Sequence, residues 1–382
     1  MNFGTLGKYL DTLPGEGFPS VAISVWQNHR EIFRHAAGKR DLAGEICVSP
    51  ADYYWLYSAT KVIVCAGAMQ LVEQGKMALD APVSEYLPAW KNVRVRDGET
   101  LRPPKRPVTI RHLMAMQGGL NYDLQSASVK AVLAKYGKNA TTRQITDAIA
   151  QEPLDFDPGD HFQYSLCHDV LGAAMEVASG MTLGEYLQKN IFDPCGMDTI
   201  TFHATPMQME HMTAQYIRSE AEKKTVPFEQ CNCFALSDCY ESGGAGLICR
   251  VDDYIRFADA MASGGVAATG ARILKPETID IMRTNQQHPQ ALREFREKTH
   301  NKLGYGYACG VRTMMEPGMG PKSPMGEFGW DGAAGCYALI DPQNGLSAFF
   351  AMQVRGFTDA YTVVHPTIRD MIYETLDSAA KQ

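Results

Sequence analysis

The chain has 382 residues, 45% of them hydrophobic, with 21% charged residues and a formal net charge of −7. That length supports two modest domains or one large two-lobed one with a real core, and the charge balance offers no basic stripe of the kind a nucleic-acid surface needs. The first ten residues lack the basic start and long apolar run of a secretory signal, and no later stretch reaches membrane-spanning length. Neither a nucleic-acid nor a membrane partner is therefore expected, and a cytoplasmic location is.

A short amphipathic helix is expected over 5–12, followed by two strands, 21–26 and 31–38, joined by the polar turn 27–30 as an antiparallel hairpin. The aromatic run Tyr53-Tyr54-Trp55-Leu56-Tyr57 leads into residues 58–74, which contain no proline, stop at Gly75 and carry Val62, Cys65, Met69 and Val72 at helical spacing. From about Asp80 the composition shifts to a proline-punctuated, loop-rich region. Helical patterns then follow at 110–116, 129–136, 141–151 and 168–178, with little between them that alternates like a strand. Strand signals return at 305–313, 335–340 and 346–354, among helical segments at 251–262, 276–284 and 367–379. The late strands alternate poorly, as in a sheet covered on both faces. This order implies one discontinuous α/β lobe, about 1–79 and 240–382, and a mainly helical lobe, about 80–239, with a cleft between them as the natural place for a small-molecule site.

The ten cysteines are scattered, which favours reduced, buried thiols over a disulfide framework. The one cluster, Cys231, Cys233 and Cys239, has no paired C-x-x-C spacing, and there is no H-E-x-x-H helix, so no metal site is expected.

Ser58-Ala59-Thr60-Lys61 puts a hydroxyl and an amine on one face of a helix start. A serine becomes a nucleophile when a base takes its proton, and a lysine can be that base once burial lowers its pKa. Helix-start N–H groups suit a developing oxyanion. The spacing recurs at Ser378 and Lys381, but in a polar tail where nothing could desolvate the amine. Ser242 lies in a glycine loop with no base three residues on. A second element, 156–166, is a Pro-Gly turn leading to Tyr164 ahead of a helix, and a phenol beside a lysine can relay a proton. A third, Phe328-Gly329-Trp330-Asp331-Gly332-Ala333-Ala334-Gly335, is a glycine-rich strand entry where a substrate can lie against the backbone. Met314, Met315, Met319 and Met325 precede it in a Pro/Gly-rich loop suited to an adaptable apolar rim.

In this order the three elements resemble the serine β-lactamase and penicillin-binding-protein superfamily, of class C type, over nearly the whole chain. Residues 109–113, Gln117-Gly118-Gly119-Leu120, 242–247 and Asp341-Pro342 also match that family's punctuation. Leu166 stands where class C enzymes carry the asparagine of Tyr-x-Asn, and Trp330-Asp331-Gly332 stands where they carry Lys-Thr-Gly. The tyrosine and tryptophan motifs look most like the family VIII carboxylesterases and the related lovastatin-type acyltransferase, although the family's motif has glycine where this chain has Asp331.

The resemblance implies an α/β fold with a central antiparallel sheet flanked by helices and an inserted helical lobe. It implies a serine hydrolase cleaving carboxylic esters without a cofactor: Ser58 as nucleophile, Lys61 and Tyr164 sharing the base role, and the backbone N–H groups of Ser58 and Ala333 holding the oxyanion. Trp330, Asp331, Gly332 and Leu166 would meet the substrate, a small-molecule ester or amide. An Asp331 facing the cleft would repel a carboxylate-bearing substrate. β-Lactamase, D-amino-acid amidase or peptidase, acyltransferase and β-lactam sensor remain alternatives on the same fold. Oligomeric state is not legible.

Overall fold

The computed structural model describes residues 1–382 except 220, 222, 300, 301, 320, 381 and 382; Lys381 of the second Ser-x-x-Lys match therefore lies outside the described residues. Among the described residues the centre is a seven-stranded antiparallel sheet. Its strands are β1 (Ser20–Gln27), β2 (Arg30–Gly38), β3 (Tyr305–Tyr307), β4 (Arg312–Met314), β5 (Phe328–Gly329), β6 (Tyr337–Asp341) and β7 (Leu346–Ala351), in the order β2-β1-β7-β6-β5-β4-β3. The N-terminal hairpin thus joins the C-terminal strands directly, with Ala22 opposite Ala351 and Ser24 opposite Phe349.

Both faces of the sheet are covered, which removes the polar half of the alternation. Tyr337 and Leu339 face a cluster made with Leu6 and Leu10 of α1 (Gly4–Thr12) and Ile368 and Ile372 of α5 (His365–Ala380). Ala338 and Ile340 face the main core. There Tyr254 of α4 (Val251–Ala262) stacks on Phe349 at 4.0 Å between centroids. The main core also takes in α2 (Thr60–Glu73), buried over Thr60–Leu71, and α3 (Cys167–Ser179). Val62, Ile63, Val64 and Leu71 are each fully buried, contributing about 1.5–3 kcal/mol apiece. Gly67 lets α2 approach its neighbours, since a Cβ there would lie 2.8 Å from a Leu187 methyl.

The expected hairpin and the helices of the middle section are present, with ends moved by a few residues. Three expectations are corrected. The single strand 305–313 is two strands, because Gly310 takes φ +73° and the 308–311 turn closes through Ala308 N–H to Val311 O at 2.8 Å. The segment 346–354 ends at Ala351, and Val354–Arg355 joins a separate sheet with Tyr216–Ser219 and Lys224–Pro227. The region after Asp80, expected as loops, holds a hairpin: Val95–Asp97 pairs with Thr100–Arg102 across the two-residue turn Gly98-Glu99, where Gly98 takes φ +60°. The helix Pro289–Lys298 was not expected. No helix among the described residues is long and apolar enough to cross a membrane.

Candidate active site

Ser58 does not start the α-helix itself. It sits in a short 3₁₀ turn, Tyr57–Ala59, that runs into α2. Tyr57 holds φ +45° there, a conformation that is costly for a non-glycine residue and that persists only where surroundings fix it. The surroundings do so: the Tyr57 hydroxyl donates to the buried Gln215 side chain, and the Arg355 guanidinium stacks over the ring at 5.6 Å. Leu56 N–H donates to Leu247 O at 2.9 Å, and Tyr254 O–H donates to Ala59 O at 2.9 Å, tying the turn to α4 and its approach.

One turn along α2, Lys61 is fully buried with its Nζ against Ser58 Oγ at 3.1 Å, Tyr122 Oη at 3.1 Å and Gly244 O at 2.6 Å. The carbonyl can only accept, so it always takes one N–H. A neutral amine has two N–H donors and one lone pair, so neutral Lys61 must receive a proton bond from Ser58 or Tyr122. Burial lowers the Lys61 pKa to about 8, against the pull of the Asp169 carboxylate. Asp169 is itself buried and accepts from Tyr240 O–H at 2.7 Å and Ser242 O–H at 2.6 Å. Ser242 is thus spent on Asp169. The glycines beside it allow the close approach: a Cβ on Gly243 would lie 2.3 Å from His168 O, and one on Gly244 2.7 Å from Asp169 Oδ2.

Tyr164 is brought in by hydrogen bonds to a second loop. Gln163 N–H donates to Met116 O and Leu166 N–H to Asn121 O, at 2.9 and 3.1 Å. The turn before it is fixed by Asp157, whose carboxylate takes Arg102 at 2.7 and 2.9 Å and Lys105 N–H at 2.8 Å, bonds that hold it well below the usual carboxylate range. The same pairing carries Tyr122 beside Tyr164, centroids 5.9 Å apart. Burial raises both phenols above their ordinary value, against the opposing pull of the neighbouring Ser58 hydroxyl, so both are neutral near pH 7. Nothing in the sequence singles out Tyr122; the trace of it is the Gly118-Gly119 turn, which ends three residues upstream, where Gly119 has φ +80°.

The third element lies against the nucleophile turn. Gly332 is required because a Cβ there would sit 2.3 Å from Leu56 O. The turn closes through Gly332 N–H to Cys336 O at 2.7 Å and Gly335 N–H to Gly332 O at 2.9 Å, with Ala333 between them, half-buried beside a cluster that includes Tyr57. Trp330 donates Nε1–H to Tyr164 Oη at 2.8 Å. Asp331 is turned elsewhere. The residue is 7% exposed, and its carboxylate meets Lys302 Nζ at 2.5 Å and has Arg312 at 3.6 Å and His365 at 4.0 Å. Burial alone would raise its pKa; Lys302, Arg312 and His365 outweigh that and lower it to about 2.

The structure therefore brings together Ser58, Lys61, Tyr164, Trp330 and the Gly332-Ala333 turn. Leu166 is directed into the main core instead, and Met314 is buried in β4 while Met319 and Met325 are exposed. Cys231, Cys233 and Cys239 are exposed, and no group of three metal-ligating side chains is found among the described residues.

Known proteins repeat this arrangement of elements. Esterase EstB of Burkholderia gladioli is 28% identical over 383 residues, covering 92% of this chain and 90% of its own. A lovastatin esterase of Penicillium rubens is 26% identical, covering 84% and 85%. The structure of simvastatin synthase from Aspergillus terreus superposes with a TM-score of 0.81 at 21% identity, covering 98% and 99%, which establishes the shared fold. The family description "Beta-lactamase" matches residues 6–369, and over that span, from the first helix to the last, the chain belongs to the beta-lactamase family.

Proposed function

We propose that this chain is a serine esterase that hydrolyses small neutral carboxylic esters through an acyl-enzyme on Ser58. The observation that carries the reading is the fully buried Lys61 amine, shared between Ser58 and Tyr122 and lowered to about 8. Its pKa lies nearest to neutrality among the three bonded groups, so Lys61 is the group that gives up its proton first and then acts as the base, and the two phenols relay. The proton inventory belongs to the coupled set and not to one residue.

Ser58 Oγ forms a bond to the ester carbonyl carbon while its proton passes to Lys61, directly or through Tyr122. The carbonyl oxygen takes the negative charge and is held by the N–H groups of Ser58 and Ala333. As the C–O bond to the alcohol breaks, Tyr164 gives its proton to the departing oxygen and is reprotonated from Lys61. Water then attacks the acyl carbon, yields its proton to the same groups, and releases the carboxylic acid with Ser58 restored. The cleft lies between the lobe of residues 1–79 and 240–382 and the lobe of 80–239.

At the position where a cation would hold a substrate carboxylate, the side chain beside Tyr164 is an indole, which favours neutral esters. The test is multiple-turnover hydrolysis of nitrophenyl esters beside nitrocefin. Sustained ester turnover is expected. A burst that stops at one equivalent would instead indicate a sensor, and release that becomes faster with added alcohol, giving a new ester, would indicate an acyltransferase.

A further inference from the structure

The segment 229–238 packs beside the nucleophile turn and is pinned at both ends. Gln215 Nε2–H donates to Glu229 O at 2.7 Å and to Cys231 O at 3.1 Å, while its Oε1 accepts from Tyr57, the residue before the nucleophile. Asn232 Nδ2–H donates to Ala245 O at 2.8 Å. Downstream, Ser237 O–H donates to Ala140 O at 2.5 Å and Asp238 N–H to Lys138 O at 3.0 Å. Between the pins, the half-buried Phe234 ring sets its edge against Tyr122 at 5.6 Å and Tyr57 at 6.0 Å, and it packs on the same cluster as Ala333. Phe234 therefore spans the base side and the oxyanion side of Ser58.

The other side of the segment is open. Cys231, Asn232, Ala235 and Leu236, but not Phe234, line a pocket of about 580 Å³ that opens to solvent, with Trp55, Phe202, Met209 and Ile248 on its apolar side and Lys138, His203 and Asp238 on its polar side. The segment is thus a thin partition, with Phe234 facing the catalytic side and unfilled volume behind it.

We propose that Phe234 closes an acyl-chain subsite and limits the acyl group to short chains, a reading that rests on Ser58 being the acylated residue. With the oxyanion between Ser58 and Ala333 and the leaving oxygen toward Tyr164, which Phe234 does not touch, the acyl chain is left to run toward Tyr122 and Phe234. A chain longer than the space before the ring meets its edge. Removing the ring joins that space to the cavity behind.

The test measures kcat/KM for nitrophenyl esters from acetate to dodecanoate in wild type, Phe234→Ala and Phe234→Trp, each referred to sites titrated by a fluorophosphonate. The octanoate-to-butyrate ratio is expected to rise by about tenfold or more in Phe234→Ala and to fall in Phe234→Trp, the scale at which hydrophobic pockets discriminate methylenes. An unchanged ratio in titratable Phe234→Ala enzyme would overturn the proposal. So would a change confined to a second series, acetate esters of graded alcohols, since the subsite would then hold the alcohol. Failure of wild-type Ser58 to take the label would remove the esterase reading itself, a result separable from any chain-length profile.

Discussion

Trp330 donates its indole N–H to the Tyr164 hydroxyl at 2.8 Å while the two rings stack at 5.7 Å. The bond occupies a lone pair of the phenol oxygen and aims its proton at the Ser58 side of the site. Trp330→Phe keeps an aromatic face but removes the donor. It is expected to lower kcat by about three- to tenfold, the worth of one ordinary hydrogen bond, with the protein still folded. An unchanged kcat would mean that the orientation of Tyr164 does not depend on Trp330.

Tyr122 and Tyr164 both lie beside Ser58, but only Tyr122 has its hydroxyl bonded to Lys61 Nζ, while that of Tyr164 accepts from Trp330. Each Tyr→Phe variant should lose about a hundredfold or more in kcat, the usual contribution of a positioned proton-transfer group. The double variant should lose less than the product of the two, because the groups act on one proton. Independent, multiplicative losses would show that the phenols serve separate steps.

The pH dependence follows from Lys61. Burial lowers its pKa to about 8, and the neutral amine is the active base, so kcat/KM for a neutral ester should rise with pH up to about 8 and then level. Below that limb it should fall by about tenfold per unit. Lys61→Arg keeps the charge but cannot give up its proton near neutrality, and should be almost inactive. A flat profile from pH 6 to 9 in wild type would place the base elsewhere.

Asp331 faces Lys302, Arg312 and His365 rather than a substrate. Asp331→Asn leaves buried cations without their counter-charge and should cost about 3 kcal/mol in urea unfolding. Because the folded pKa is depressed to about 2, this stabilisation is present above about pH 4 and is lost as pH falls toward 2. Nitrocefin turnover should stay poor in the variant. A rise in nitrocefin kcat/KM with unchanged stability would show that the carboxylate does meet the substrate.

Much of this was legible because chemistry at the site requires residues that stand out in a sequence. The Ser58 and Lys61 spacing, the Pro158-Gly159 turn before Tyr164 and the glycines at 332 and 335 all mark places where backbone geometry or burial permits few alternatives. A lobe built from both ends of the chain followed from the position of the strands, and the sheet's two covered faces from the poor alternation of the late ones. Tyr122 was not legible, since it stands in an aperiodic loop and gains its role only when that loop pairs with the one carrying Tyr164. The direction of Asp331 was not legible either, because its partners Lys302, Arg312 and His365 come from three separate segments. The hairpin at Gly98-Glu99 could have been read from the glycine that opens its turn, whereas the split at Gly310 lies within a run that reads as continuous strand.

The central claim is that Ser58 carries the acyl group. It is tested most directly by fluorophosphonate labelling followed by peptide mass mapping, with ester hydrolysis measured on the same samples. One label per chain on Ser58 is expected, with labelling and turnover both abolished in Ser58→Ala. Label on Ser242 or Ser378, or hydrolysis that survives Ser58→Ala, would contradict the account.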